Sequence, residues 1–300
     1  MRLLWLVTVA VAFAFAQPRR TRLDAHNCYP YDGQYADRIE RALKTGLPVA
    51  IEQDLAWNGL KSVLSHEIKT TGGEPGMKEY FFERVRPIVE QALRSTSKRD
   101  WPLLTLNLDF KTFEPEHARA VLALLREYEA WLTSAPKSST VAKLDLKPVL
   151  VLVGDSDVLE SVFNAPEVKT LLAFGAAKVA SRGTELTPKQ LVAAKATNYR
   201  RWWNSPWSIV EEGGQAKAGT WTMPDQRRLR ALARHAHAAG YWLRLYTLNG
   251  HDPAAGKGWS KGYNFGALEA ARVRWAASRA AGVDYLATDQ YEDLSEFFKK

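Results

Sequence analysis

The chain has 300 residues, of which 46% are hydrophobic and 25% are charged, and this composition excludes a disordered or low-complexity protein. Its single cysteine, Cys28, excludes an internal disulfide. The 41 Lys and Arg residues outnumber the 33 acidic residues and give a net charge of +8, which favours anionic partners. Because the basic residues are spread along the chain without a nucleic-acid-binding motif, nucleic acid is not expected as a partner.

Residues 1–16 have the pattern of a secretory signal peptide. A basic Arg2 precedes an apolar run from Leu3 to Phe15, and small residues, Ala14 and Ala16, close the segment before Gln17. The run is too short to span a bilayer, which disfavours a permanent N-terminal anchor. We therefore predict cleavage of residues 1–16, export to the periplasm or the medium, and a mature domain over residues 17–300.

Strands and helices are predicted to alternate along the mature chain. Short apolar runs indicate strands, and amphipathic segments of helical period follow most of them. The predicted strands cover 22–27, 48–55, 103–111, 148–153, 171–179, 198–204, 241–249 and 282–289, with a brief extended piece at 62–67. The predicted helices cover 35–45, 78–95, 115–133, 188–196, 225–239 and 264–281, and a short helix ends the chain. Eight strand units in this order predict an α/β fold, a single-domain TIM-type (β/α)8 barrel.

Two carboxylates lie at the end of the second predicted strand. Glu52 and Asp54 are two residues apart, so both side chains point to the same face. Two carboxylates beside a buried run repel each other and lose water, and a hard divalent cation held by oxygens relieves both penalties. The pair therefore predicts a metal site.

Further polar residues follow the first and third predicted strands. His26 ends the first strand, His66 lies just beyond the second, and Asp109 and Lys111 alternate on the third. In a parallel barrel these ends meet on one face, which carries the active site. Three acidic oxygens suit Mg²⁺ or Ca²⁺ better than Zn²⁺, two histidines suit acid–base work, and a lysine can neutralise phosphate charge.

At these residues the chain resembles the superfamily of glycerophosphodiester phosphodiesterases and phosphatidylinositol phospholipase C-like enzymes, including its sphingomyelinase D-like branch. The matching motifs are a first-strand histidine, E-x-D, histidine before an acid, acid-x-lysine, and two late strands. They occur here as His26, 52–54, 66–67, 109–111, 245–249 and 282–289. The resemblance covers strands one to three and seven to eight, and this set of matches in order is specific where one E-x-D is not.

The resemblance implies a metal-dependent phosphoric diester hydrolase, and the predicted signal peptide implies that it is exported. The resemblance also implies that Glu52, Asp54 and Asp109 bind one divalent cation, Mg²⁺ or Ca²⁺, and that His26, His66 and Lys111 are catalytic. Asn27, Lys111 and Tyr246 are expected to contact the substrate, a glycerol, inositol or lipid-headgroup phosphodiester, with peripheral membrane contact. The family's usual arginine after the first histidine is Asn27 here, its strand-seven tryptophan is Tyr246, and its strand-three glutamate is Asp109 as in the sphingomyelinase D-like enzymes.

Other interpretations remain open at this point. A barrel that keeps the metal site but only binds a ligand or a surface is the main alternative. A glycoside hydrolase is disfavoured because Glu52 and Asp54 share one strand, whereas its two carboxylates must flank the bond from opposite sides. The tryptophans of 202–207 are interpreted as core rather than as a cleft, His117 as a surface residue, and Arg200 with Arg201 as either solvated or headgroup-binding. The sequence predicts no oligomeric state.

Overall fold

Eight parallel strands form a closed barrel in the part of the chain that the computed structural model describes, residues 21–30, 36–179, 181–255 and 261–300. In chain order they are β1 (Arg22–Ala25), β2 (Val49–Trp57), β3 (Leu104–Phe110), β4 (Val149–Val153), β5 (Phe174–Ala176), β6 (Arg200–Pro206), β7 (Trp242–Tyr246) and β8 (Tyr285–Thr288). Each strand pairs with the next, and β1 pairs with both β2 and β8, which closes the sheet. The predicted TIM-type barrel is confirmed.

Eight α-helices accompany these strands in the described part of the chain. They are α1 (Arg38–Lys44), α2 (Glu83–Arg94), α3 (Pro115–Glu127), α4 (Asp157–Phe163), α5 (Pro188–Leu191), α6 (Met223–Ala238), α7 (Leu268–Ala281) and α8 (Tyr291–Lys299). A π-helical turn, Lys78–Phe82, leads into α2, and a short strand, Ser62–Leu64, pairs antiparallel with β2. Among the described residues no helix combines the length and the apolar character that a bilayer crossing demands.

Local sequence signals explain where the long helices begin and end. Thr222 and Asp225 form a capping box at the start of α6, where their side chains satisfy backbone N–H groups that the first turn leaves free. Gly282, with φ of 81°, ends α7 in the left-handed conformation that glycine adopts without a Cβ clash. In α2 one face, with Val85 and Val89, is buried. These signals explain why the helical pattern could be predicted here.

The central third of the barrel differs from the predicted boundaries. The helix predicted over 188–196 is only the single turn Pro188–Leu191, because Val192 already has an extended backbone. The strand predicted within 171–179 is only Phe174–Ala176, and β6 runs two residues further than predicted, to Pro206. The predicted signal peptide, 1–16, lies outside the described residues and stays a prediction.

The interpretation of His117 as a surface residue is wrong. Its side chain is fully buried, where it contacts the hydroxyl oxygens of Thr112 and Ser62, each at 2.8 Å, and stacks on Trp57. These partners come from the loop after β3 and from the hairpin that extends β2. Burial lowers the pKa of His117 to about 4, so the imidazole is neutral at physiological pH.

Arg200 and Arg201 are neither solvated nor positioned to bind a headgroup. Arg200 is buried and its guanidinium pairs with Asp155 and with Glu160, each at 2.6 Å. Arg201 is buried and donates to the backbone oxygens of Asn198 and of residue 142. The buried tryptophans at 202, 203 and 207 agree with the core interpretation.

Candidate active site

A cavity of about 360 Å³ opens at the C-terminal end of the barrel strands. Every residue that the sequence predicted for the site lines it. These eight residues are His26, Asn27, Glu52, Asp54, His66, Asp109, Lys111 and Tyr246. Because parallel strands present their C-terminal ends on one face, residues from β1, β2, β3 and β7 meet there although they are far apart in sequence.

Three carboxylates form a cluster on one wall of this cavity. Glu52, Asp54 and Asp109 each offer one oxygen, and these oxygens lie within 4.8 Å of one another. The register of the sheet explains the proximity, because Asp54 lies directly beside Asp109 on the neighbouring strand. Lys111 Nζ lies 2.9 Å from Asp54 Oδ2 and 2.7 Å from Asp109 Oδ2. One lysine is therefore shared between two carboxylates.

The ionisation of this cluster indicates a shortage of positive charge. Burial, followed by the charges of Asp109 and Glu52, raises the pKa of Asp54 to about 8, although Lys111 opposes this. A carboxyl with such a pKa is mostly protonated at neutral pH, and a cation near it would restore the charged form. The donor set consists of oxygens, which hard divalent ions prefer. The residues therefore fit one Mg²⁺ or Ca²⁺ ion.

His26 is held between two buried carboxylates. Its Nδ1 lies 3.2 Å from Asp289 Oδ1, and its Nε2 lies 3.4 Å from Glu52 Oε2. Burial of the ring disfavours the imidazolium, but Glu52 and Asp289 outweigh it and raise the pKa of His26. The imidazole is thus fixed in orientation by a carboxylate on one nitrogen, an arrangement that suits proton transfer at the other.

Asp289, which ends the last predicted strand, has a role that the sequence motif alone did not reveal. It accepts hydrogen bonds from Arg38 Nη1 at 2.9 Å and from Asn249 Nδ2 at 2.6 Å. Burial opposes its charge, yet His26 and Arg38 hold the pKa of Asp289 well below its usual range. Asp289 therefore stays ionised and can orient His26.

Asn27 has the left-handed backbone conformation, with φ of 57°. Asparagine tolerates this conformation better than most residues. Its side-chain amide lies 2.7 Å from His26 Nδ1 and donates to Asp289 Oδ1 at 3.3 Å, and its backbone N–H donates to Glu52 Oε2 at 3.3 Å. Asn27 is 2% exposed, so in this structure it supports His26 and Glu52 more than it faces the open cavity.

Arg244 is a central residue of the site that the sequence reasoning missed. It lies on β7, is 1% exposed, and its guanidinium lies 3.2 Å from Glu52 Oε1. It also pairs with Asp24 and donates to Asn204 Oδ1 at 3.0 Å. Burial disfavours its charge, but Asp24 and Glu52 raise the pKa of Arg244 above its ordinary value. A single arginine in an otherwise apolar and aromatic strand was the available signal.

The remaining predicted residues line the outer part of the cavity. His66 has a side chain that is 42% exposed, and its Nδ1 lies 3.5 Å from Glu67 Oε1. Tyr246 packs edge-on against Tyr263, with ring centroids 6.1 Å apart. Arg182, which the sequence analysis did not single out, lines the same cavity and has no ion pair among the described residues. The cavity thus has an acidic, buried floor and an outer region with a histidine, tyrosines and an arginine.

Comparisons with known proteins match the fold rather than the sequence. No protein-family model matches this chain, and no curated protein matches it. A glycerophosphodiester phosphodiesterase structure from Parabacteroides distasonis matches with a TM-score of 0.51 and 11% identity, covering 95% of this chain and 98% of that chain.

Two further solved structures match with lower TM-scores. HPPK-DHPS from Plasmodium falciparum gives a TM-score of 0.48 with 8% identity, covering 94% of this chain and 47% of that chain. A glycerophosphodiester phosphodiesterase from Agrobacterium tumefaciens gives 0.47 with 14% identity, covering 93% and 100%. At 11% identity the match to the Parabacteroides structure shows a shared barrel fold.

Proposed function

We propose that this chain is a metal-dependent phosphoric diester hydrolase that acts on a glycerol, inositol or lipid-headgroup phosphodiester. The observation that carries the proposal is the meeting of Glu52, Asp54, Asp109, His26 and Lys111 in one cavity at the C-terminal end of the barrel. The order of these residues along the chain and the fold shared with the Parabacteroides enzyme support the same reaction class.

The cation site is proposed to consist of Glu52, Asp54 and Asp109. A divalent ion held there would act as a Lewis acid on the phosphoryl oxygens. Lys111 lies within 3 Å of two of these carboxylates, so its ammonium group adds a second positive charge where the phosphate binds. Lys111 directly follows the end of β3 and lines the cavity, which places its ammonium group beside the proposed cation site.

The histidines are proposed to move the protons. A hydroxyl oxygen, from water or from the substrate itself, attacks phosphorus while one imidazole accepts the hydroxyl proton. The bond between phosphorus and the leaving oxygen then breaks, the electron pair stays with that oxygen, and the second imidazole supplies the proton that it needs. His26, oriented by Asp289, and His66, at the cavity's outer part, are the proposed pair. The pH dependence of turnover by the single variants H26A and H66A identifies which of the two histidines acts as the base.

A panel of phosphodiesters tests this proposal. We expect chelator-sensitive release of an alcohol or a cyclic phosphate, and a loss of turnover of about 10²- to 10⁴-fold in H26A and in H66A. H235A, in α6 and away from the cavity, is the matched control and should retain activity. Full turnover by both site variants would contradict the assignment. Saturable binding without turnover would support the alternative, a barrel that only binds its ligand.

Export is part of the proposal and is supported by the pattern of residues 1–16. When the full chain is expressed with a secretion system, we expect the mature protein to begin at Gln17. Mass spectrometry of the protein from the periplasm or the medium measures this directly, and an intact N-terminus in the membrane fraction would contradict it.

A further inference from the structure

A second cavity, of about 280 Å³, lies at the N-terminal end of the barrel strands, away from the candidate active site. Arg22, Trp242 and Tyr285, the first residues of β1, β7 and β8, line it together with the loops that lead into β3 and β4. We call it the basal cavity. The interior of such a barrel is normally filled by layers of side chains, so an opening of this size at its end is a candidate binding site.

The basal cavity is separate from the active-site cavity. Within the described residues the two share no lining residue. Tyr285 Oη lies 3.5 Å from Thr105 Oγ1, a contact that crosses the barrel interior from β8 to β3. The buried ion pair of Asp24 with Arg244 occupies the next positions along β1 and β7, toward the active site. A ligand in the basal cavity therefore does not reach the proposed catalytic residues.

Among the charged groups that line the basal cavity, the guanidinium of Arg22 lacks a partner. Arg99 Nε lies 3.6 Å from Asp100 Oδ1, and Asp284 Oδ2 lies 2.8 Å from His237 Nε2. Arg22 is half-buried, and its guanidinium has neither a hydrogen bond nor an ion pair within the described ranges. Because a guanidinium offers paired donors that match a carboxylate, Arg22 can bind an anionic group that enters the cavity.

The surrounding charges also favour an anion. In the loop segments beside the cavity, 98–102 and 143–148, the basic residues outnumber the acidic ones, with Lys98, Arg99, Lys143 and Lys147 against Asp100 and Asp145. Both acids have partners, because Asp145 pairs with Lys147 at 3.5 Å and Asp100 pairs with Arg99. An anion at this end of the barrel therefore meets no unpaired carboxylate of these segments.

The walls of the basal cavity are aromatic and aliphatic. Trp101 and Tyr285 are 7% and 4% exposed, and Trp242, Leu144 and Leu150 complete these walls. An apolar cavity of about 150 Å³ binds benzene, and the basal cavity is nearly twice as large, so it has room for two fused rings. A flat aromatic group can also pack against tryptophan and tyrosine rings in offset or edge-on geometry.

We infer that the basal cavity binds a small aromatic carboxylic acid. Its ring system lies among Trp101, Trp242 and Tyr285, and its carboxylate accepts hydrogen bonds from the guanidinium of Arg22. The apolar walls select the ring, and the unpaired arginine selects the negative charge. This inference goes beyond the proposed function and does not depend on it.

Isothermal titration calorimetry of the wild-type protein with three naphthalene derivatives tests the ligand class. Naphthoate should bind with a dissociation constant below about 1 mM. Naphthalenemethanol, which has the same ring without the charge, should bind at least about tenfold more weakly, and naphthalenemethylamine should bind more weakly still. Equal affinities for naphthoate and naphthalenemethanol, or no binding of naphthoate, would overturn the inference.

Variants of the lining residues test the location. R22M should weaken naphthoate binding at least about tenfold, because the carboxylate loses its charged donor, and R22K should have an intermediate affinity. L144W should abolish binding, because the larger ring fills the cavity. R94M and L93W are the matched controls on α2, where Leu93 is 37% exposed, and both should bind naphthoate like the wild type. Unchanged affinity in folded R22M would overturn the inference, and the ligand series on the wild type tests it even where a variant does not fold.

A further variant distinguishes the two cavities. Arg182 lines the active-site cavity, so R182M should bind naphthoate like the wild type. Loss of binding in R182M with retention in R22M would place the ligand in the active-site cavity and overturn the inference. Naphthoate binding by a wild-type protein that turns over no diester would contradict the proposed hydrolase and leave the basal site standing.

Discussion

The protonation of Asp54 makes a quantitative prediction about metal binding. Burial and the neighbouring carboxylates raise the pKa of this residue to about 8. The carboxyl is therefore protonated in about 90% of metal-free molecules at pH 7 and in about 10% at pH 9. A cation that takes Asp54 as a ligand must displace this proton. We expect the release from Asp54 of about 0.9 proton per ion at pH 7 and about 0.1 at pH 9.

The same linkage sets the pH dependence of the affinity. Because binding at the lower pH includes the cost of deprotonation, the apparent dissociation constant for Mg²⁺ or Ca²⁺ should be about tenfold lower at pH 9 than at pH 7. The direction in which stability changes with pH also follows for the metal-free protein. The folded-state pKa of Asp54 is raised, so its contribution to stability is greatest below the unfolded pKa and is lost as the pH rises through about 8.

Isothermal titration calorimetry in buffers of different ionisation enthalpy measures the number of protons released. The dependence of the observed enthalpy on the buffer enthalpy gives that number directly. His26 also titrates near this site, so H26Q is the matched control. The variant should retain the release from Asp54 and its decline toward pH 9. A proton count near zero at pH 7, or a count that is the same at both pH values, would refute Asp54 as a protonated metal ligand.

Three further predictions concern the surrounding charges. K111M should lower kcat for a diester by about 10²- to 10³-fold, and unchanged turnover would exclude Lys111 from phosphate contact. Because the pKa of His117 is lowered to about 4, the contribution of His117 to the free energy of unfolding should be constant above about pH 6.5 and fall by up to about 3 kcal/mol toward pH 4. H117Q should remove this slope in urea unfolding, and an equal slope in both proteins would contradict the assignment. R244M should destabilise the fold by about 3–5 kcal/mol by leaving buried carboxylates unpaired, and D24N/R244M should recover part of the loss. A double variant no more stable than R244M would show that Asp24 is not the group left uncompensated.

The strands and helices of both ends of the chain could be predicted because each carries its own signal. Val49 begins a buried apolar run, α6 begins with a capping box, and Gly282 ends α7. The middle carries weaker signals, because β5 has only three residues and α5 only four. Elements of that length are set by the surrounding barrel rather than by their own periodicity.

Burial of charged and titratable residues could not be predicted, because their partners come from elsewhere in the chain. Arg200 is held by Asp155 and Glu160, about 40 positions earlier, and His117 by a hairpin 55 positions away. Judged only by the residues beside it in the sequence, each of these two residues, Arg200 and His117, resembles an exposed residue. Only closure of the barrel brings the compensating groups within hydrogen-bond distance.

The contrast between Glu52 and Asp54 illustrates the same point within the site. Two carboxylates two residues apart look equivalent in sequence, and both point into the cavity. Glu52 belongs to a chain of buried charges of alternating sign, in the order Asp24, Arg244, Glu52, His26, Asp289, Arg38. Burial opposes its charge, but Arg244 and His26 lower the pKa of Glu52. Asp54 lies outside that chain and shares a single lysine with Asp109, and burial together with the charges of Asp109 and Glu52 raises its pKa instead. Arg244, which lies on β7 nearly 200 residues further along the chain, compensates the charge of Glu52. Asp54 lacks this arginine and is therefore the carboxylate that most needs a cation.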